Sequence, residues 1–217
     1  MIKIAVFDLD GTLVDSLTDL ALSVNKGLKK AGLPEQPLKK YNHFVGNGRA
    51  MLIRRAIGEG CTEAQFQSVL DTFDAEYRLH CNDNTTAYPG CAAMLRRLTE
   101  NGVQTAVLSN KPDEFISEIL RKIYPDHSFL EAWGQKPQYQ CKPDKEALHA
   151  MLALHRLTPD DCVYIGDSDV DVVTARNSGV QMAGVSWGFR GRAELLSAGA
   201  PFVADTAEEL TEYLLSL

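Results

Sequence analysis

Ile2-Lys3-Ile4-Ala5-Val6-Phe7-Asp8-Leu9-Asp10-Gly11-Thr12-Leu13 is an apolar run that ends abruptly in acid. Ile2–Phe7 is rich in Ile and Val and broken only by Lys3, which predicts a short buried strand. Asp8 and Asp10 close it. In an extended segment residues i and i+2 point to the same side, so both carboxylates can face one ligand. Gly11 lets the backbone turn away tightly beneath them. Read alone, two loop aspartates serve equally well as a turn or a helix cap. The same acids argue against a signal peptide, which needs a longer apolar stretch and a small-residue cleavage site. No apolar run elsewhere approaches the roughly 18–20 residues of a membrane helix.

Working outward, strands recur at Val103–Leu108, Val163–Ile165 and Val180–Val185, each an apolar run bounded by polar residues. Helical patterns lie between them: Cys91 to Leu98, ending at Asn101-Gly102, then Asp113–Ile123, Asp144–His155 and Val170–Ser178. Thr206-Ala207-Glu208-Glu209 caps a final helix. Such alternation predicts an α/β fold, a doubly wound and mainly parallel sheet with crossover helices on both faces.

One stretch breaks the alternation. Ser16-Leu17-Thr18-Asp19 has the form of a capping box, and Leu17, Leu20, Ala21, Val24 and Leu28 follow at helical spacing. Gly46-Asn47-Gly48 is a loop that opens a helix through Ile57. Thr62-Glu63-Ala64-Gln65 is a second capping box, followed by Phe66, Val69, Leu70, Phe73 and Tyr77 on one face. From Pro37 to Cys81 no strand pattern is present. The expected organisation is therefore an α/β core from residues 1–15 and 88–217, with 16–87 inserted as an all-helical domain.

The 217 residues carry 22 basic and 29 acidic side chains, a formal net charge of −7. That balance argues against nucleic acid or an anionic membrane surface as partner. The five cysteines have no C-x-x-C spacing and read as reduced thiols, which implies a cytoplasmic location. The five histidines match no zinc spacing.

In an open parallel sheet the ligand sits beyond the carboxyl ends of the strands. The first strand ends in Asp8-Leu9-Asp10-Gly11-Thr12, the second in Ser109-Asn110-Lys111, and the third in Gly166-Asp167-Ser168-Asp169-Val170-Asp171. Lys142 opens a helix at the same pole. Four carboxylates at one point (Asp8, Asp10, Asp167 and Asp171) repel one another and cannot all stay ionised unaided. A divalent cation together with Lys142 offsets most of that charge, and an all-oxygen donor set suits magnesium rather than zinc. Each residue also has a plainer role. Ser109 and Asn110 can cap a helix, Lys142 can be a solvated surface lysine, Asp169 reads as a cap, and Trp187 as packing beneath the site.

Asp8-Leu9-Asp10-Gly11-Thr12-Leu13, Ser109-Asn110, Lys142-Pro143-Asp144 and Gly166-Asp167-Ser168-Asp169-Val170-Asp171 resemble, in order, the four motifs of the haloacid dehalogenase-like superfamily. Val45-Gly46-Asn47-Gly48, Ser109-Asn110-Lys111-Pro112 and Gly184-Val185-Ser186-Trp187-Gly188-Phe189 are similar to its bacterial phosphoglycolate phosphatase branch. The resemblance implies an Mg2+-dependent phosphomonoester hydrolase acting on a small phosphorylated metabolite, 2-phosphoglycolate first, as a monomer or homodimer. It implies that Asp8 is the nucleophile and Asp10 the general acid and base. Ser109, Asn110 and Lys142 would serve the phosphoryl group, and Asp8, Asp167 and the Asp10 carbonyl the metal. Asp171 would orient that set, and Thr12 would brace the first loop. Another phosphate ester, pyrophosphate and a sugar phosphomutase activity stay open as alternatives. Two departures from the family pattern, Gln135–Gln140 in place of an acidic stretch and Lys145 in place of a proline, lie near the mouth of the expected site.

For the insert, the expectation is a lid over the strand ends. Gly46, Asn47, Gly48 and Arg49 would meet a substrate carboxylate with backbone N–H groups, a helix N-terminus and a cation. Arg54 or Arg55 could assist. A plain loop between two helices is the alternative.

Overall fold

The computed structural model describes residues 2–217. The chain opens with β1 (Ile4–Phe7) and a two-residue strand, β2 (Val14–Asp15). Four helices follow, α1 (Leu17–Lys30), α2 (Leu38–Phe44), α3 (Gly48–Ile57) and α4 (Glu63–His80), before β3 (Thr86–Ala87) pairs antiparallel with β2. Strands and helices then alternate: α5 (Cys91–Glu100), β4 (Gln104–Pro112), α6 (Asp113–Ile123), β5 (Glu131–Gln135) and α7 (Glu146–Leu154). The chain finishes with β6 (Cys162–Gly166), α8 (Asp169–Ser178), β7 (Gln181–Val185), α9 (Gly191–Ala198), β8 (Val203–Ala204) and α10 (Ala207–Ser216).

Six of the strands form one parallel sheet in the order β5-β4-β1-β6-β7-β8. The chain runs outward from β1 to β4 and β5, then crosses back and runs outward through β6, β7 and β8. The reversal places a crevice at the carboxyl end of β1, where open sheets of this kind hold ligands. The pleat divides β1 between two cores. Ile4 and Val6 pack with Leu148 and Met151 of α7 and Val172 of α8, while Ala5 and Phe7 pack with Leu95 and Leu98 of α5 and Ile119 of α6. Helices cover both faces, as a parallel sheet requires.

The α/β class and the helical run after β1 match the sequence reading. Several elements were not legible in it: β2, β3, β5, β8, α2 and α9. Each is short or lies at an edge, and β5 (Glu-Ala-Trp-Gly-Gln) has no apolar run because most of it is only half-buried. β4 also continues past Leu108 to Pro112, so Ser109, Asn110 and Lys111 belong to the strand rather than to a loop beyond it.

The first capping box is corrected. Helix α1 does begin after Ser16, but neither side chain of the box caps it. Ser16 Oγ donates instead to Asp10 Oδ1 at 2.5 Å. The buried Asp19 carboxylate accepts from the backbone N–H groups of Asn84 and Thr85 and from the Thr85 hydroxyl. This ties the start of α1 to the segment that leaves α4. The second box, Thr62 with Gln65, forms as the sequence predicts.

Candidate active site

β1 delivers Asp8 to the crevice, buried, with its Oδ1 accepting from the Leu9 N–H at 2.7 Å and lying 3.0 Å from Lys142 Nζ. Lys142 is also buried and donates to Asp171 Oδ1 at 2.8 Å and to the Tyr164 hydroxyl at 2.9 Å. Tyr164 in turn donates to the Leu108 carbonyl, so the lysine is anchored through two strands. Asp171 uses its second oxygen for the Ser168 N–H and hydroxyl. The capping box at the start of α8 is therefore made by Ser168 and Asp171. Among the described residues, Asp169 accepts only from the adjacent Val170 N–H.

Asp167 completes the cluster. Oxygens of Asp8, Asp167 and Asp171 lie within 4.8 Å of one another. One Asp167 oxygen accepts from the Phe189 N–H at 2.7 Å, and the other has no protein donor among the described residues. Two glycines wall this carboxylate. A Cβ on Gly11, whose φ is 85°, would stand 2.5 Å from Asp167 Oδ2, and one on Gly188 would stand 2.3 Å from Asp167 Cβ.

The charges do not balance. Burial raises the Asp8 carboxyl to about 6, Lys142 opposes that rise, and Asp171 and Asp10 add to it. Burial, then Asp171 and Asp8, push Asp167 well above the usual carboxylate range. Burial alone would lower the Lys142 ammonium, but Asp171 and Asp8 hold it well above its ordinary value. One ammonium thus serves three buried carboxylates, and a cation at Asp8 and Asp167 would supply the missing compensation. The donor set is all oxygen, with a free Asp167 oxygen, and it fits magnesium. Asp171 is fully engaged with Lys142 and Ser168, so it orients the lysine rather than offering an oxygen to a metal.

Asp10 faces away from that cluster. Both of its oxygens accept from Lys111 Nζ, at 2.8 and 2.9 Å, and the Lys111 side chain is only 2% exposed. Ser109 is buried beside them, and its hydroxyl accepts the Lys111 N–H at 3.3 Å. Asn110 Nδ2 donates to the carbonyls of Gly46 and Lys142, both at 3.0 Å, and its Oδ1 accepts the Lys142 N–H at 2.7 Å. With its amide spent on main chain, the Asn110 side chain straps two loops together and does not point at a phosphoryl group. Thr12 is buried, and it braces the first loop through its carbonyl, which accepts from the Trp187 indole at 3.1 Å. Its hydroxyl has no partner among the described residues.

The helical segment closes over this pole. A cavity of about 40 Å3 lies between Asp8, Asp10, Ser109 and Lys111 below and Gly48, Arg49, Leu52, Phe73 and Tyr77 above. Gly46 and Gly48 both have positive φ, 118° and 79°. The loop they frame is held down by Asn110 and by Arg190, whose guanidinium donates to the Val45 carbonyl at 3.1 Å. Arg55 braces the loop from inside the segment, donating to the carbonyls of His43 and Phe44 and to Asn47 Oδ1. Arg54 lies over the Phe66 ring, away from the cavity. Arg49 reaches the cavity but pairs with Asp74 at 2.6 Å.

Sequence reasoning missed Lys111, Tyr77, Tyr164 and Arg190 as parts of this site. Lys111 could have been found by its place in the strand-end motif. Tyr77 read as one more apolar residue on a helix face.

The family model of the haloacid dehalogenase-like hydrolases matches residues 5–185. A phosphoglycolate phosphatase of Pseudomonas putida is 35% identical over 193 residues, covering 86% of this chain and 70% of its own length. One from Haemophilus influenzae is 31% identical and covers 98% of both chains. Among solved structures, a predicted phosphoglycolate phosphatase from Haemophilus somnus superposes with a TM-score of 0.92 at 29% identity, over 98% of both chains.

Proposed function

The chain belongs to the haloacid dehalogenase-like hydrolases, and on that premise we propose that it is a magnesium-dependent phosphomonoesterase whose substrate is 2-phosphoglycolate. The observation that carries this reading is the state of Asp8. One oxygen is fixed by Leu9 and Lys142, which leaves the other free to attack at the floor of the cavity.

Asp8 Oδ2 forms a bond to phosphorus while the ester P–O bond breaks. Asp10 gives the leaving alkoxide a proton. Asp10 then takes a proton from a water that attacks the aspartyl-phosphate, the P–O bond to Asp8 breaks, and Asp8 and phosphate are released. Ser109 and Lys142 hold phosphoryl oxygens and offset their charge. Asp8, Asp167 and the Asp10 carbonyl would hold magnesium, which would stabilise the charge on the phosphoryl group. Asn110 and Asp171 keep Lys142 in place from opposite sides, and Thr12 fixes the loop that carries Asp10.

Residues 16–87 act as a cap on this chemistry. Relatives 35% and 31% identical bear the name phosphoglycolate phosphatase, which favours phosphoglycolate over a sugar phosphomutase reaction. The positive-φ glycines bring the Gly46–Gly48 backbone close to the cavity, and Arg49 borders it.

The test is turnover of a panel of phosphate esters with magnesium, together with mass spectrometry of a rapid quench. The expected result is the highest kcat/KM for 2-phosphoglycolate and phosphate trapped on Asp8. A phosphoenzyme on the Asp8→Asn variant would sink the mechanism, and a better sugar phosphate would sink the substrate assignment alone.

A further inference from the structure

Tyr77 is buried to 1% exposure and borders the cavity from helix α4. Its ring stacks on Phe73 with centroids 5.2 Å apart and meets Phe115 edge-on at 5.1 Å. A phenylalanine would make the same contacts. The hydroxyl adds a polar atom to an apolar slot, and among the described residues it has no hydrogen-bond partner. An unsatisfied buried hydroxyl costs stability, so a ligand that pairs with it gains accordingly. Burial, reinforced by the Asp10 carboxylate, raises this phenol well above its ordinary value. It is therefore a donor looking for an acceptor.

Lys111 stands beside it, with Nζ 4.8 Å from the centre of the Tyr77 ring. An ammonium has three donors. Two are spent on Asp10, and no other oxygen among the described residues accepts from Lys111 Nζ. Lys111, a buried cation with an unused donor, and Tyr77, whose buried hydroxyl has no acceptor, thus line one small cavity together with Asp8. Arg49 is already neutralised by Asp74.

We infer that Tyr77 and Lys111 together form the subsite for the part of the substrate that is not transferred, and that this part is a carboxylate. One carboxylate oxygen accepts from the Tyr77 hydroxyl and the other from Lys111 Nζ. Specificity for an acidic ester over a neutral one then rests on helix α4 and the end of β4, and not on the Gly46–Arg49 loop. This deepens the phosphomonoesterase reading and rests on it, but it does not require 2-phosphoglycolate to be the best substrate.

The test uses two non-hydrolysable phosphonates as inhibitors of p-nitrophenyl phosphate turnover. 3-Phosphonopropionate carries the carboxylate, and 3-hydroxypropylphosphonate replaces it with a neutral alcohol. The wild-type enzyme should bind the acid more tightly than the alcohol. That preference should fall about tenfold or more in Tyr77→Phe, the scale of one hydrogen bond to a charged group, and should disappear in Lys111→Gln. Lys111→Arg, which keeps a cation, should retain part of it. No preference in the wild-type enzyme, or a preference that survives both Tyr77→Phe and Lys111→Gln, would overturn the inference. Failure of the ester panel to favour 2-phosphoglycolate would leave this result standing and remove only the substrate assignment.

Discussion

The strand ends and the helices above them build one cavity in different ways. At the strand ends these charged groups are held by an ion pair or a hydrogen bond. Lys142 ties Asp8 to Asp171, Ser168 fixes Asp171, Phe189 fixes Asp167, and Lys111 grips Asp10. Above them, α3 and α4 offer Leu52, Phe73 and Tyr77 as a mostly apolar wall, and the one guanidinium that reaches it is paired away from the cavity. The lower half is rigid because removing any one charge strands its partner. The upper half meets it through backbone contacts from Asn110 and Arg190, the Arg78–Glu114 ion pair and the edge-on contact of Tyr77 with Phe115. In the proposed reading the chemistry lies below, while selection is shared by Tyr77 above and Lys111 at the end of β4, and substitutions should separate the two.

The largest effects are expected at the strand ends. Asp8→Asn should leave no measurable turnover and no phosphoenzyme, because it removes the proposed nucleophile. Chelation by EDTA should likewise abolish turnover and magnesium should restore it, while calcium, with its larger and looser coordination, should restore little. Asp10→Asn keeps the nucleophile and should cost roughly 10²–10⁴-fold in kcat, the range for a lost general acid–base group. Full activity in metal-free buffer, or an Asp10→Asn variant close to wild type, would break the division of labour proposed for the two aspartates.

Next in size are effects on stability. Lys142→Met leaves Asp8 and Asp171 buried without their shared cation and should destabilise the fold by about 3–5 kcal/mol in urea unfolding. A loss below about 1 kcal/mol would show that the cluster is compensated by something else. Magnesium should stabilise the wild-type fold by mass action, about 2.7 kcal/mol at a hundred times its Kd. Asp167→Asn should lose most of that gain while unfolding cooperatively. A magnesium-induced shift in Tm that is unchanged in Asp167→Asn would place the cation elsewhere.

The two regions also differ in how well the sequence announces them. Asp8, Asp10 and Asp167 are charged residues that fall where apolar strands stop, and the topology of a parallel sheet brings strand ends together; Lys142, expected at a helix start, lies in the loop before α7 (Glu146–Leu154). The positions of the three aspartates follow from the pattern alone. The partnerships do not. Ser16 and Asp19 have the spacing of a capping box, yet each found a stronger partner through tertiary contact, Ser16 on Asp10 and Asp19 on the backbone of residues 84–85. Ser168 and Asp171 formed a box that was not foreseen. In the helical segment the difficulty is greater. Tyr77 and Phe73 look alike on a helical face, and only the packing shows that one of them carries an unpaired hydroxyl. The three arginines of α3 share one short sequence, but one borders the cavity, one braces a loop and one lies over a ring.

The smallest effect is expected at Arg49, and it sharpens the comparison most. The pair with Asp74 is partly exposed, with side chains 40% and 28% accessible, so its contribution to stability should not exceed about 1 kcal/mol. If the guanidinium stays with Asp74 while substrate is bound, Arg49→Ala should raise KM for 2-phosphoglycolate only slightly, and no more than for p-nitrophenyl phosphate. If instead Arg49 releases Asp74 and turns to the substrate carboxylate, the same variant should raise KM for 2-phosphoglycolate far more than for the ester that lacks a carboxylate. An effect larger than that of Tyr77→Phe would move selection from the α4 helix to the Gly46–Arg49 loop. The core chemistry would be untouched by that outcome, because Asp8, Asp10 and Lys142 make no contact with Arg49.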